Sequence, residues 1–181
     1  MPNLLSYALT VLLLIIGFIF YPNMRQAELS DRMAEKIAND ATILFVDSVR
    51  AKGYVDVRDY EVFQKSIDNS GVVFKVTFEH FKKNIQPVYT DPYNAATFQN
   101  TFAVSYDGYF YNDIMNVLYP GTPVPADDTT RRYKMHVGDL FNIRLNPVSE
   151  SISSRLNKLM FHRESVPIMV PYGGMVLNEA P

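Results

Sequence analysis

Cysteine and tryptophan are both missing from this sequence of 181 residues, and histidine occurs only three times. Without cysteine the chain has no disulfide, no thiolate zinc knuckle and no thiol nucleophile. Other chemical signatures are missing too: there is no HExxH, no GxSxG and no glycine-rich loop ending in GK[ST], and Gly173-Gly174 reads as a strand bulge. His80, His136 and His162 stand far apart without paired spacing or a carboxylate cluster, so they read as imidazoles at the edges of packed faces rather than as ligands. Ser149, Ser151, Ser153 and Ser154 read as helix caps and surface positions. Asp127-Asp128, in a proline-flanked loop, has too few neighbouring oxygen ligands for calcium and reads as a solvated turn. The sequence therefore predicts no catalytic residue, no cofactor and no metal site. Lysine and arginine number 17 against 19 acidic residues, for a net charge of −2. They are scattered rather than clustered, which excludes the basic footprint of a nucleic-acid-binding protein.

What the sequence does have is one long hydrophobic run. Leu4 to Tyr21, LLSYALTVLLLIIGFIFY, carries no charge and is followed at once by Pro22. At about 1.5 Å per residue such a run covers roughly 27 Å, close to the hydrocarbon thickness of a bilayer. It reads as a retained single-pass anchor. A cleaved secretory signal would have a basic n-region, a shorter apolar core and a small-residue cleavage site, whereas Met1, Pro2 and Asn3 are uncharged and Phe18 to Pro22 is bulky. Arg25, Arg32 and Lys36 follow the run; by the positive-inside rule alone they favour a cytoplasmic head.

Beyond Pro22 a helical period resumes. Leu29, Met33, Ile37, Ala41, Leu44 or Phe45, and Val49 recur every three or four residues with charges between them, and Gly53 is placed to terminate the helix in the left-handed conformation. Pro22 predicts a kink or a fresh start inside an otherwise continuous helix from Leu4 to Lys52. A second helix is expected with Asp56 as N-cap and with Val57, Tyr60, Phe63 and Ile67 on one face. The stretch VVFKVTFEHF alternates as a strand, with Phe74, Val76, Phe78 and His80 on one side. Lys82 to Asn94, with Pro87 and Asp91-Pro92, reads as a loop, and Asp107-Gly108 as the turn of a hairpin after a strand centred on Phe102, Val104 and Tyr106. Tyr106, Tyr109, Phe110 and Tyr111 form an aromatic cluster that reads as hairpin-face packing or as a stacking platform.

A short helix is expected after Asn112, holding Ile114, Met115, Val117 and Leu118. Thr122 to Arg132 reads as a polar loop. Tyr133–Val137 and Leu140–Leu145 then read as a strand pair about a Gly138-Asp139 turn. A helix capped by Ser149 or Ser151 and carrying Ile152, Leu156, Leu159 and Met160 follows, and the tail VPIMVPYGGMVLNEAP reads as a final strand. The fold class is thus α+β: a long N-terminal helix, half transmembrane and half amphipathic, with a small head of antiparallel strands and short helices. The expected divisions are an anchor over 1–22, its amphipathic continuation over 23–52 and a head over 53–181.

This outline resembles the type IV pilin-like and TadE-like membrane proteins. The resemblance rests on LFVDSVRAKGYVDVRDYEVFQKSIDNSG running into VVFKVTFEH, and on YKMHVGDLFNIRL, which look like small pilin-like proteins of Gram-positive Tad-type or conjugation-type loci. It implies a non-catalytic structural or assembly component of a cell-surface filament or secretion apparatus, with an extracellular head. Its partners would be the membrane and other pilin-like or secretion-apparatus subunits, including copies of itself. The chain departs from processed pilins: position five after Gly17-Phe18 is Pro22 instead of Glu, which implies a minor, unprocessed component. The residues expected to pack with partner helices are Gly17, Pro22, Leu29, Met33, Ile37 and Ala41. A membrane-anchored module that binds a ligand or partner with its head is the alternative.

Overall fold

The computed structural model describes residues 4–148, 150–151, 154–155, 158, 162 and 169–180. One helix, α1 (Leu4–Lys52), runs unbroken through Pro22 and at about 1.5 Å per residue is roughly 74 Å long. Of the two outcomes that Pro22 allows, the helix takes continuation, at the cost of the N–H that would have bonded the Phe18 carbonyl. The run Leu4 to Tyr21 is exposed along its whole length, and this helix is long and apolar enough to cross a membrane. Gly53 ends the helix as expected, with φ +78° and its N–H donating to the Val49 carbonyl. A side chain there would strike the backbone of Asn178 to Ala180.

The upper half of α1 packs on the head through a face of small residues. Ala34, Ala38, Ala41, Thr42, Phe45, Val46 and Val49 are buried. Thr42 satisfies its hydroxyl by donating to the Ala38 carbonyl at 2.7 Å. Helix α2 (Val57–Asp68) forms as its sequence predicts: the Asp56 carboxylate accepts from the Asp59 N–H at 2.8 Å, and Val57, Tyr60, Phe63 and Ile67 are buried. Lys52 ties the two helices together through Asp59 at 2.6 Å.

Strands β2 (Phe74–Tyr89), β3 (Phe98–Phe110), β5 (Leu140–Pro147) and β6 (Val170–Met175) form a sheet in the order β3-β2-β5-β6, antiparallel throughout. A two-residue ladder joins β1 (Tyr54–Val55) to β4 (Tyr133–Lys134). Helix α3 (Tyr111–Leu118) buries Ile114 and Leu118. Phe78 sits at the core's centre, stacked between Tyr111 at 5.8 Å and Phe141 at 6.0 Å and met edge-on by Tyr60 at 5.7 Å. Offset and edge-on rings satisfy the aromatic quadrupole while filling the space between sheet and helices.

Four expectations are corrected. Lys82 to Asn94 is not all loop, because β2 continues to Tyr89; above Phe81 it pairs only with β3, so Pro87 interrupts no central ladder. Asp107-Gly108 is not a turn but lies within β3, where Asp107 accepts from the Asn84 amide and Gly108 gives room to the Phe110 ring. Tyr133–Val137 does not pair with the strand after Gly138-Asp139, since β4 joins β1 and β5 joins β2 and β6. Gly173-Gly174 pairs in register with Asn142 and Phe141 instead of bulging; the missing side chains let Asn142 and the Arg50 guanidinium pass close by. Ser151 accepts from the Ser154 N–H as a cap would, but Ile152, Leu156, Leu159 and Met160 of the expected helix lie outside the described residues.

The contacts between α1 and β6 fix which end of the head faces the apolar run Leu4 to Tyr21. Arg50 donates to the Met175 carbonyl at 2.8 Å, and Tyr172 donates to Asp47 at 3.2 Å, so β6 ascends beside α1. Strand β5 therefore descends and β2 ascends. Phe81 is level with Met175 through Leu140, and the eight residues from Lys82 to Tyr89 continue beyond it. With β3 they form an arm roughly 26 Å long that continues beyond β5 and β6 on the side away from Leu4–Tyr21.

Candidate interaction surfaces

The most chemically organised cluster lies at the base of that arm. His80, 3% exposed, accepts a hydrogen bond from the Tyr133 hydroxyl at Nδ1 (2.8 Å) and donates from Nε2 to Asp139, 1% exposed, at 3.0 Å. That pairing assigns the neutral tautomer with its proton on Nε2. Asp139 also accepts from the backbone N–H groups of Lys83 at 2.8 Å and His136 at 2.9 Å. Burial pushes the His80 pKa below its ordinary value, more strongly than Asp139 raises it. Burial works to raise Asp139, but the His136 and Lys83 amides and the His80 ring outweigh it and hold the carboxyl below its usual range. Tyr133 is raised, chiefly by burial. Every strong donor and acceptor of the cluster is spent on joining β2, β4 and the turn before β5. It is built as a clamp.

This cluster was not legible as such in the sequence. The alternation of β2 places His80 on the core-facing side with Phe78, and a histidine there requires a buried partner; nothing in the sequence marked Asp139 or Tyr133 as that partner. His136 and His162 are both exposed; the His136 ring lies 3.9 Å from Asp139, and His162 lies beside Glu150, Arg155 and Lys158. Among the described residues, no group of three or more histidines and carboxylates is placed to hold a metal ion. The aromatic cluster divides. Tyr109 stacks on His80 and Tyr111 on Phe78, while Tyr106 and Phe110 are exposed on the opposite face of β3.

The residues expected to pack with partner helices divide as well. Gly17 has no atom within 4 Å of where a side chain would begin, and Pro22 is exposed. Leu29 and Met33 are 58% and 67% exposed, and Ile37 is half-buried. Ala41 is buried against the head and is thereby removed from any partner-facing surface, a correction to the single stripe read from the sequence. At about 100° per residue, Leu29, Met33, Ile37 and Leu44 fall within an arc of roughly 80°, whose centre lies roughly 140° from that of the buried face. Leu44 is 73% exposed. The upper half of α1 thus packs one apolar face on the head and turns a second group of apolar side chains outward, with the exposed Asp40 inside the same arc and Asp47 at its edge. A second exposed apolar surface lies on the arm, where Ile85, Phe102, Val104, Tyr106 and Phe110 share the side of the sheet away from the helices.

The sequence matches no protein-family model, and comparisons with curated proteins and with solved structures find no match either.

Proposed function

We propose that this chain is a non-catalytic, pilin-like assembly subunit, anchored in the cytoplasmic membrane by the lower half of α1 and carrying its head on the outer side. In this reading it belongs to a cell-surface filament or secretion apparatus. The observation that carries the reading is the outward stripe of Leu29, Met33, Ile37 and Leu44 on a helix whose other face already packs on the head. Such a stripe stands in water above the bilayer, where exposed apolar surface of this kind marks contact with another chain. Neighbouring anchors in one membrane hold their helices parallel, so stripe-to-stripe packing continues any contact made within the bilayer. The outer placement of the head follows from the pilin resemblance, against the charge of Arg25, Arg32 and Lys36.

Leu29→Glu with Met33→Glu tests this directly, because both positions are exposed and the head should keep its near-UV circular dichroism. Once covered by a partner, each side chain contributes about 1–2 kcal/mol, so the pair should weaken association in membranes roughly a hundredfold or more. Unchanged co-purification of partner subunits would reject the reading. Protease added to intact protoplasts should remove the head; a protected head would reject the outer placement.

The exposed aromatic arm favours a second reading, a stalked module that binds a partner through its distal end. In that case the stripe substitutions leave partner capture intact.

A further inference from the structure

The two edges of the sheet are treated differently. Strand β6 carries Pro171, which cannot donate to a further strand, and lies beside α1 with Arg50 bonded to its Met175 carbonyl. Strand β3 has neither protection; its ladder with β2 shifts register between Phe98 and Phe102, where Asn100 takes φ +54°, so its regular open edge runs from Phe102 to Phe110. Its sequence FQNTFAVSYDGYF contains no lysine, arginine or proline, and Asp107 is its single charge. All but its first residue are exposed, and among the described residues β2 is its only neighbour in the sheet. Natural edge strands are usually blunted by charge, proline or cover, and an open one is a template for another strand.

We propose that the open edge of β3 pairs, antiparallel, with β3 of a second copy anchored in an opposing membrane, so that two distal arms join in a handshake. Direction and charge both select this occupant. Copies side by side in one membrane present their β3 strands pointing the same way, and the two-fold axis between them would turn one outer face against the other's inner face. Copies in opposing membranes approach with arms reversed, and a two-fold axis perpendicular to the sheet keeps both outer faces on one side. In the registers centred on Val104, Ser105 or Tyr106, Asp107 falls opposite Thr101, Ala103 or Ser105, so no like charges meet. Centring on Val104 sets Phe102 opposite Tyr106 of the partner copy twice over, the aromatic cross-strand pairing that sheets favour. In the register centred on Val104 the Gly108 levels of the two copies, beside Phe81 of each, stand roughly 26 Å apart along the joined strands, so the two heads do not meet. The inference depends on anchoring by α1 and on outward heads, but not on the outward stripe of that helix.

The test uses the full chain reconstituted in phosphatidylcholine liposomes and follows clustering by light scattering. Wild-type liposomes should cluster with one another and ignore protein-free liposomes. Val104→Lys should abolish clustering of like with like, as should Tyr106→Lys. Liposomes bearing Val104→Lys should cluster again when mixed with liposomes bearing Val104→Glu. The substituted positions are exposed, and unchanged far-ultraviolet circular dichroism verifies the fold. Failure of wild-type liposomes to cluster overturns the proposal, as does unaltered clustering of both lysine variants or equal capture of protein-free liposomes, which would show lipid binding. Leu29→Glu with Met33→Glu should leave clustering intact, so failure of the stripe contact and failure of this one are separately visible.

Discussion

His80 shows how much one side chain can be asked to hold. Its two nitrogens join Tyr133 and Asp139, and removing the ring leaves a buried carboxylate short of one donor and a half-buried hydroxyl without its acceptor. His80→Leu should therefore cost about 1–3 kcal/mol, measured by urea unfolding of the head. The same pair predicts a pH dependence. His80 titrates below its ordinary 6.5 and Asp139 below its ordinary 3.8 in the folded head, so the unfolded chain binds protons more readily than the folded one as pH falls. The contribution from His80 is complete above about pH 6.5 and declines below it; that from Asp139 is lost further into acid. The melting temperature should fall from pH 7 to pH 5, and His80→Leu should flatten that slope. A slope unchanged by the substitution would assign the dependence elsewhere. The alternation of β2 put His80 on the core side in the sequence itself. Asp139 was hidden because Gly138-Asp139 has the composition of a turn, and composition does not reveal that a turn is folded inward over a histidine.

At the scale of elements, the sequence was most legible where local chemistry and burial agree. Helix α2 has a cap at Asp56 and an apolar stripe, and it forms directly after the one and over the length of the other. Helix α1 was legible in extent but not in facing: periodicity merged Leu29 and Met33 with Ala41 into one stripe, because alanine contributes too little hydrophobicity to show that Ala34, Ala38 and Ala41 form the packed side. The arm was missed for the opposite reason. Pro87 and Asp107-Gly108 are local signals for loop and turn, and long-range pairing of β2 with β3 overrides both. An arm held beyond Lys83 by its own ladder, by the Asn84 amide on Asp107 and by the small cluster of Tyr89, Phe98 and Phe102 should open far more readily than the sheet below it. Hydrogen exchange on detergent-solubilised monomer should show fast exchange over 84–86 and 102–106 and slow exchange over 79–81, where β2 is paired on both sides. Equal protection in the two segments would contradict an arm that stands alone.

The whole molecule reads as a rod with a head near its upper end: a bare apolar lower half, a two-faced upper half, and an arm aimed away from the anchor. The lower half and the α+β class followed from the sequence; the aim of the arm follows only from the register of β6 on α1. The central claim is that the outward face of α1 meets other subunits. Because the chain has no cysteine, single cysteines can be placed along α1 one at a time and labelled with a photoactivatable crosslinker in native membranes. The account predicts crosslinks to neighbouring subunits at positions 29, 33 and 44, with none at the exposed Asn39 on another face. Crosslinking that is absent at all four positions, or equal at all four, would contradict it.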